Sequence, residues 1–371
     1  MDERVFDAMK PYMLEKFGNP SSLDHAYGAE ASSAVEEARG KVAKCIGAPA
    51  SDIIFTSGAT ESDNLALIGV MERYADRGDH LVTCTTEHKA VLDVAKHLEA
   101  NGKRVTYLPV NEVGEISPED LKDAITDKTV MVSIMLANNE VGTIADVKKI
   151  GEIVHDKGAI FHTDAAQAVG HMHVDVDDMN IDLMSFSAHK MYGPKGIGAL
   201  YVRGIKPRVR LDPIIRGGGH ERNRRSGTLN VPAIVGFGRA AEISAWEMDG
   251  EESRSRKWSK RMIDEFTSAG ALLNGPLDNR LARNVNVCFP GVESKAVINK
   301  VSDKVAISAG SACTTETVEP SHVLLALGLD EERAHQSIRI GTGRHNNDEE
   351  ISTAIDSIIL ATNELRRIIG K

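Results

Sequence analysis

The chain has 371 residues, of which 42% are hydrophobic and 26% charged, and it carries a formal net charge of −10. This composition gives ample material for a packed core, in two domains or one large one, and its acidic balance argues against a phosphate-backbone binder. No run of about 18 apolar residues predicts a membrane-crossing helix and the N-terminus lacks a secretion-signal pattern, so a cytoplasmic location, with no membrane partner, is expected.

Residues 1–17 read as a helix with Val5, Met9 and Met13 on one face, and a helix of mixed charge is predicted over 31–46. Ile53-Ile54-Phe55-Thr56 is a short strand and Ser57-Gly58-Ala59-Thr60 a tight turn. A helix with Leu67, Ile68 and Met71 on one stripe follows. Further apolar or β-rich runs at 80–84, 105–110, 130–135, 159–163, 181–186 and 197–202 alternate with helical stripes such as Val147, Ile150, Ile153 and Val154. Near-continuous apolar strands separated by amphipathic helices predict an α/β fold with a mainly parallel sheet covered on both faces. The charged stretch 248–261 predicts an exposed helix leading into a second unit. That unit has strands at 285–289 and 337–340 and a closing helix at 348–369, striped by Ile351, Ile355, Ile358, Ile359 and Leu365. The expected division is a large domain over 13–250 and a small domain made of 1–12 and 251–371.

Several strand ends carry polar groups, and parallel strands present reactive groups at their carboxyl ends. Lys190, in Ser187-Ala188-His189-Lys190-Met191-Tyr192-Gly193-Pro194, stands just past an apolar strand. It is either an ordinary loop lysine or, partly desolvated, an amine able to condense with a carbonyl. The strand–turn–helix around Ser57-Gly58-Ala59-Thr60 has the geometry of an anion cup, or Thr60 is a plain helix cap. Asp164 ends a strand, where a turn or cap role is the common one. His88 is equally readable as structural or as a proton carrier. Arg339, flanked by apolar residues on a strand, is a buried ion-pair member or a carboxylate clamp. The basic run Arg222 to Arg225 lacks the interleaved aromatics of a nucleic-acid site. Of the four cysteines, none forms a C-x-x-C pair. Cys45, Cys84 and Cys288 sit in apolar patterns and read as small buried hydrophobes. Cys313, amid Gly, Ser, Ala and Thr, reads as exposed, and by itself as a spectator thiol.

Taken together, Ser187-Ala188-His189-Lys190 with Tyr192-Gly193-Pro194-Lys195-Gly196, Ser57-Gly58-Ala59-Thr60-Glu61-Ser62-x-Asn64, Asp164-x-x-Gln167 and the Cys313 loop resemble the NifS/IscS-type cysteine desulfurases. That group belongs to the class-V aminotransferase family of pyridoxal phosphate (PLP) fold-type I. The resemblance runs from about residue 4 to about 360. It implies a seven-stranded, mainly parallel sheet in the large domain and a smaller α+β C-terminal domain. It also implies PLP on Lys190, with Ala59, Thr60, Ser187 and His189 at the phosphate. Asp164 is implied at the pyridine nitrogen, Gln167 at the phenolic oxygen, and His88 stacked on the ring as a proton carrier. Asn139 is implied near the cofactor oxygen and, with Arg339, at the substrate carboxylate, Cys313 as the sulfur acceptor on a long loop, and Thr228 reaching the phosphate of a neighbouring copy in a homodimer. No metal is implied. The implied reaction turns L-cysteine into L-alanine, leaves a persulfide, and passes sulfur to an IscU-like iron–sulfur scaffold or another acceptor. Selenocysteine lyase chemistry and a catalytically impaired sulfur-system scaffold stay open as alternatives. The family pattern starts with a short strand and loop that precede residue 1 here, which leaves a late-assigned start, a truncated chain or a true loss as explanations.

Overall fold

Seven short runs rich in apolar and β-branched residues form the first sheet. They are β1 (Ile53–Thr56), β2 (His80–Cys84), β3 (Arg104–Leu108), β4 (Thr129–Ser133), β5 (Ile160–Asp164), β6 (Leu183–Ser187) and β7 (Gly198–Val202). All except β3 are buried along their whole length, as strands covered on both faces must be. The computed structural model describes residues 1–205, 207–309 and 319–370. Within it the strands run in the order β1-β7-β6-β5-β4-β2-β3. The pairs from β6 through β3 are parallel, whereas β7 is antiparallel to both β6 and β1. Hence β1 points the same way as β6. The carboxyl ends of β1, β2, β4, β5 and β6 all open on one edge of the sheet.

The helices that precede or alternate with these strands are α1 (Glu3–Leu14), α2 (Ala26–Lys44), α3 (Ala59–Arg73), α4 (Lys89–Ala100), α5 (Pro118–Ala124) and α6 (Val147–Asp156). Leu65 and Val70 of α3, and Val91, Val94 and Leu98 of α4, pack with Leu81, Met131, Leu183 and Leu200 of the strands. Each such side chain removed from water contributes about 1.5–3 kcal/mol. Helix α2 starts five residues earlier than its apolar stripe suggests. His25 caps it, its Nδ1 accepting from the Gly28 N–H at 3.1 Å.

Chain contacts divide the protein into two compact units. The first comprises Met1–Leu108, Pro118–Leu136 and Ala145–Met248; the second comprises Pro109–Ser117, Ala137–Ile144 and Asp249–Lys371. The first twelve residues, expected in the small domain, therefore lie in the first unit. Val5 and Met9 are buried there, and the Asp2 N–H bonds to the Tyr192 carbonyl at 2.9 Å. Two short inner segments also belong to the second unit. Sequence contiguity gives no hint of that.

The second unit has a four-stranded antiparallel sheet, in the order β10-β11-β9-β8. Its strands are β8 (Leu272–Leu273), β9 (Asn284–Cys288), β10 (Ser308–Ala309) and β11 (Ser337–Gly341). Strands β8 and β10 are two residues each, too short to show an alternating pattern. Val285, Val287, Ile338 and Ile340 pack with Trp258, Met262 and Phe266 and with Ile351, Ile355 and Ile358 of the closing helix Asp348–Ile369. The charged stretch at 248–261 is not a helix of its own. It is the middle of one helix, Val231–Ser268.

One glycine fixes a close approach that the site depends on. A Cβ at Gly198 would lie 2.6 Å from the Gly58 Cα and 2.7 Å from the Phe186 carbonyl oxygen. Both are backbone atoms, unable to move aside. Gly198→Ala is expected to destabilise the protein by about 1–3 kcal/mol, seen as a lower urea midpoint; an unchanged midpoint would show that the turn at Gly58 yields freely.

Candidate active site

The shared strand edge determines which polar groups meet in the first unit. Beyond β1 the chain turns through Gly58 into α3, whose first residues are Ala59 and Thr60. Gly58 is the cap and supplies no side-chain bond, so Thr60 is not a capping residue. The helix start therefore keeps N–H groups directed outward at its positive end. Ser187, at the end of β6, lies against this turn: a Cβ on Gly58 would stand 3.9 Å from its hydroxyl oxygen. Ser187 Oγ in turn bonds to His189 Nδ1 at 2.8 Å.

Lys190 sits in a 3-10 turn, Ala188–Met191, directly after β6. The turn is closed by Tyr192, a non-glycine residue in the left-handed region at φ 64°. His171 Nε2 donates to the Lys190 carbonyl at 2.6 Å, which fixes the backbone from outside. The side chain is half-buried. His88, after β2, is the N-cap of α4, its Nδ1 accepting from the Ala90 N–H at 3.1 Å. The two readings of this histidine thus coexist. It caps a helix through one nitrogen while its ring remains exposed on the same edge.

Asp164 closes β5, is buried, and accepts from the Ala166 N–H at 2.8 Å. Burial raises its carboxyl above the usual range; the Ala166 bond and the neighbouring His88 and Lys190 side chains pull the other way. Those opposing effects tie Lys190, His88 and Asp164 into one electrostatic neighbourhood. Gln167 follows in the half-buried turn behind Asp164.

The basic run near residue 224 is engaged within the protein. Arg225 grips Glu61, in the first turn of α3, through Nε at 2.7 Å and Nη2 at 3.1 Å, and Arg222 bonds to the Ser51 carbonyl. Thr228 stands exposed three residues later.

In the second unit, Arg339 on β11 is half-buried, and its Nη1 donates to the Asn139 carbonyl at 3.2 Å. Asn284 Nδ2 donates to the same carbonyl at 3.2 Å, and Asn286 Nδ2 to that of Glu140 at 3.1 Å, so the 138–143 turn is tied to β9. Arg339 and Asn139 thus come together, through the Asn139 main chain. Ser308 of β10 is the register partner of Arg339. Cys313, five residues beyond Ser308, lies outside the described residues.

Two of the remaining cysteines depart from the expectation of plain buried hydrophobes. Cys45 is only half-buried. Cys84 is buried but lies among polar atoms, its Sγ 3.3 Å from both Thr86 Oγ1 and Glu87 Oε1. Sequence reasoning also missed the buried Asp63, Glu87 and His162. One signal was available: His162 and Asp164 stand two residues apart on a strand, hence on one face.

Comparison with known proteins sets this arrangement in a family. The aminotransferase class-V model matches residues 1–353. The chain is 51% identical over 368 residues, 99% of its length and 89% of the relative's, to a protein of Rickettsia bellii named cysteine desulfurase IscS. Among solved structures, one titled NifS-like protein superposes with a TM-score of 0.92 at 38% identity, covering 98% of this chain and 97% of the other. Another, titled SspA in complex with cysteine, superposes with a TM-score of 0.81 at 38% identity, covering 92% and 95%.

Proposed function

The chain belongs to the aminotransferase class-V family, and on that premise we propose that it is a cysteine desulfurase. It converts L-cysteine to L-alanine and hands the sulfur, through Cys313, to an acceptor protein such as an iron–sulfur scaffold, acting in the cytoplasm as a homodimer. The observation that carries this reading is the meeting of Lys190, His88 and the buried Asp164 on one sheet edge, beside the turn at Gly58.

The residues fit PLP. Asp164 is a carboxyl held up by burial, and a protonated pyridine nitrogen is the cation that would relieve it. The outward N–H groups at Ala59 and Thr60, with Ser187 and His189, suit a phosphate. Thr228 from a second copy adds to that phosphate, and Gln167 suits the phenolic oxygen. When bound, PLP supplies an electron-withdrawing ring that loosens the bonds at an amino acid's Cα.

The chain's own residues do the rest. Arg339 takes the substrate carboxylate with its guanidinium fork, which Asn139 helps to orient. Lys190 is the base placed to take the Cα proton. The Cys313 thiolate attacks the substrate sulfur, forming an S–S bond while the electrons of the Cβ–Sγ bond stay on the substrate; a proton taken up at Cβ and one returned to Cα by Lys190 complete alanine. His88, with Nδ1 engaged at Ala90, carries a proton at Nε2 to or from the reacting thiol.

With L-cysteine and a thiol reductant, PLP-loaded protein is expected to release alanine and sulfide in equal amounts. Cys313→Ala is expected to lose both while the absorbance of the lysine-bound cofactor stays. Full activity of Cys313→Ala would exclude sulfur transfer through that thiol.

A further inference from the structure

Behind Asp164 lies a group of buried ionisable side chains that the proposed chemistry leaves without a role. Asp63 comes from α3, Glu87 follows β2, and His162 precedes Asp164 by two residues on the same face of β5; Asp63, Glu87 and His162 are each 0% exposed. His162 is satisfied by two hydroxyls, Ser133 Oγ at 2.8 Å on Nδ1 and Ser185 Oγ at 3.0 Å on Nε2. Burial pushes its imidazole down to about 3, so at neutral pH it has no charge to offer Asp63, whose Oδ1 stands 3.7 Å from Nε2.

The three carboxyls are placed unequally. Neither oxygen of Asp63 has a hydrogen-bond partner of good geometry among the described residues. Burial, and next the charge of Asp164, push Asp63 well above the ordinary carboxylate range, and the nearby Ser185 hydroxyl only weakens that push. Glu87 accepts from the Met135 N–H at 2.6 Å and from the Cys84 thiol, and burial still raises it to about 8. Asp164 alone has His88 and Lys190 beside it, both of which pull its carboxyl down. Three carboxyls sharing one dry neighbourhood cannot all ionise.

Resting on the PLP reading, we propose that Asp63 and Glu87 remain uncharged carboxylic acids and act as positioning residues, leaving Asp164 as the one ionised carboxyl of the group to meet a protonated ring nitrogen. Among the described residues, the titratable groups of this neighbourhood beside Asp164 are Asp63, Cys84, Glu87, His88, His162 and Lys190. A consequence follows for stability. In the unfolded chain Glu87 releases its proton near its ordinary value of 4.5, and in the folded chain at about 8. Across that window the folded state holds more protons than the unfolded one, so stability falls as pH rises. Asp63 contributes in the same direction.

The test uses PLP-loaded protein, with Asp63→Asn, Glu87→Gln, the double variant and Asp164→Asn. Infrared spectra at neutral pH are expected to show the band of protonated carboxyl groups in the wild type. It should be weaker in each of the first two variants and lost in the double variant. Asp63→Asn should keep the lysine-bound cofactor absorbance that Asp164→Asn loses. Asp63→Asn should also raise the apparent unfolding temperature at pH 8 by about 2 °C or more, with little change at pH 5. A merely structural Asp63 would instead lower it at both. A loaded wild type without the protonated-carboxyl band, or Asp63→Asn losing the cofactor, overturns the proposal. A wild type that never takes up PLP overturns the reading beneath it.

Discussion

Replacing Lys190 by alanine is expected to lower turnover of L-cysteine by about 10²–10⁴-fold, the usual range for a positioned proton-transfer group. It should also abolish the visible absorbance of lysine-bound PLP. The backbone turn at this residue is held by main-chain groups. The 3-10 turn is held by the Gly193 N–H on the Ala188 carbonyl at 2.8 Å and by His171 on the Lys190 carbonyl, both through main-chain acceptors. Ala188 and Met191 anchor the turn from within the core. The unfolding temperature of Lys190→Ala without added PLP is to be set against that of the wild type in the same state, since the amine also acts on the buried Asp164. Circular dichroism melts run beside the rate assay separate a chemical loss from a structural one. Wild-type turnover in this variant would remove Lys190 from the reaction.

Glu221→Ala is the substitution with the largest expected effect on stability, a loss of about 3–5 kcal/mol, because it leaves a buried guanidinium without its two-bonded partner and only the exposed Glu36 carboxylate, 3.1 Å from Nε, to offset its charge. Arg39 Nη1 and Nη2 bond to the two carboxylate oxygens of Glu221 at 2.7 and 2.8 Å, and the Phe55 N–H adds a third bond at 2.8 Å. The guanidinium also bonds to the Ile53 carbonyl at 3.1 Å and lies 4.7 Å from the Phe55 ring centroid. This clamp compensates for local strain. Glu221, Arg222 and Asn223 are three consecutive non-glycine residues in the left-handed region, at φ 48°, 58° and 66°. Each costs roughly 1–2 kcal/mol relative to right-handed backbone. Without Glu221 the segment leading to Thr228 loses its hold on β1, although Arg225 still grips Glu61. Urea denaturation gives the loss directly, and removing Arg39 as well should recover part of it. A loss below about 1 kcal/mol would mean that the segment is held by other contacts.

How much of this was legible in the sequence varies by residue. The strands β1 and β2 were predicted to the residue, since short apolar runs bounded by turns have a strong local signature. Lys190 and Asp164 were legible as strand-end positions, since each closes or follows such a run, while their proposed roles came from the family resemblance. Helix α2 was read short because Gly28 and its alanine and serine neighbours carry no apolar stripe. The long helix Val231–Ser268 was read only in part, because its charged middle conceals the continuing stripe.

By itself, then, the sequence determined the α/β class, the strand-end residues and the family resemblance, all of which depend on local pattern or on short motifs. Only the tertiary structure decided which distant residues share one environment. Arg39 and Glu221 are 182 positions apart, and nothing local couples them. Asp63, Glu87 and Asp164 come from a helix, a turn and a strand, and their protonation depends on a burial that no neighbour in sequence imposes. The assignment of residues 1–12 to the first unit depends in the same way on the core that Val5 and Met9 enter. Desolvation and charge coupling act through space, and the chain must be folded before either has a value.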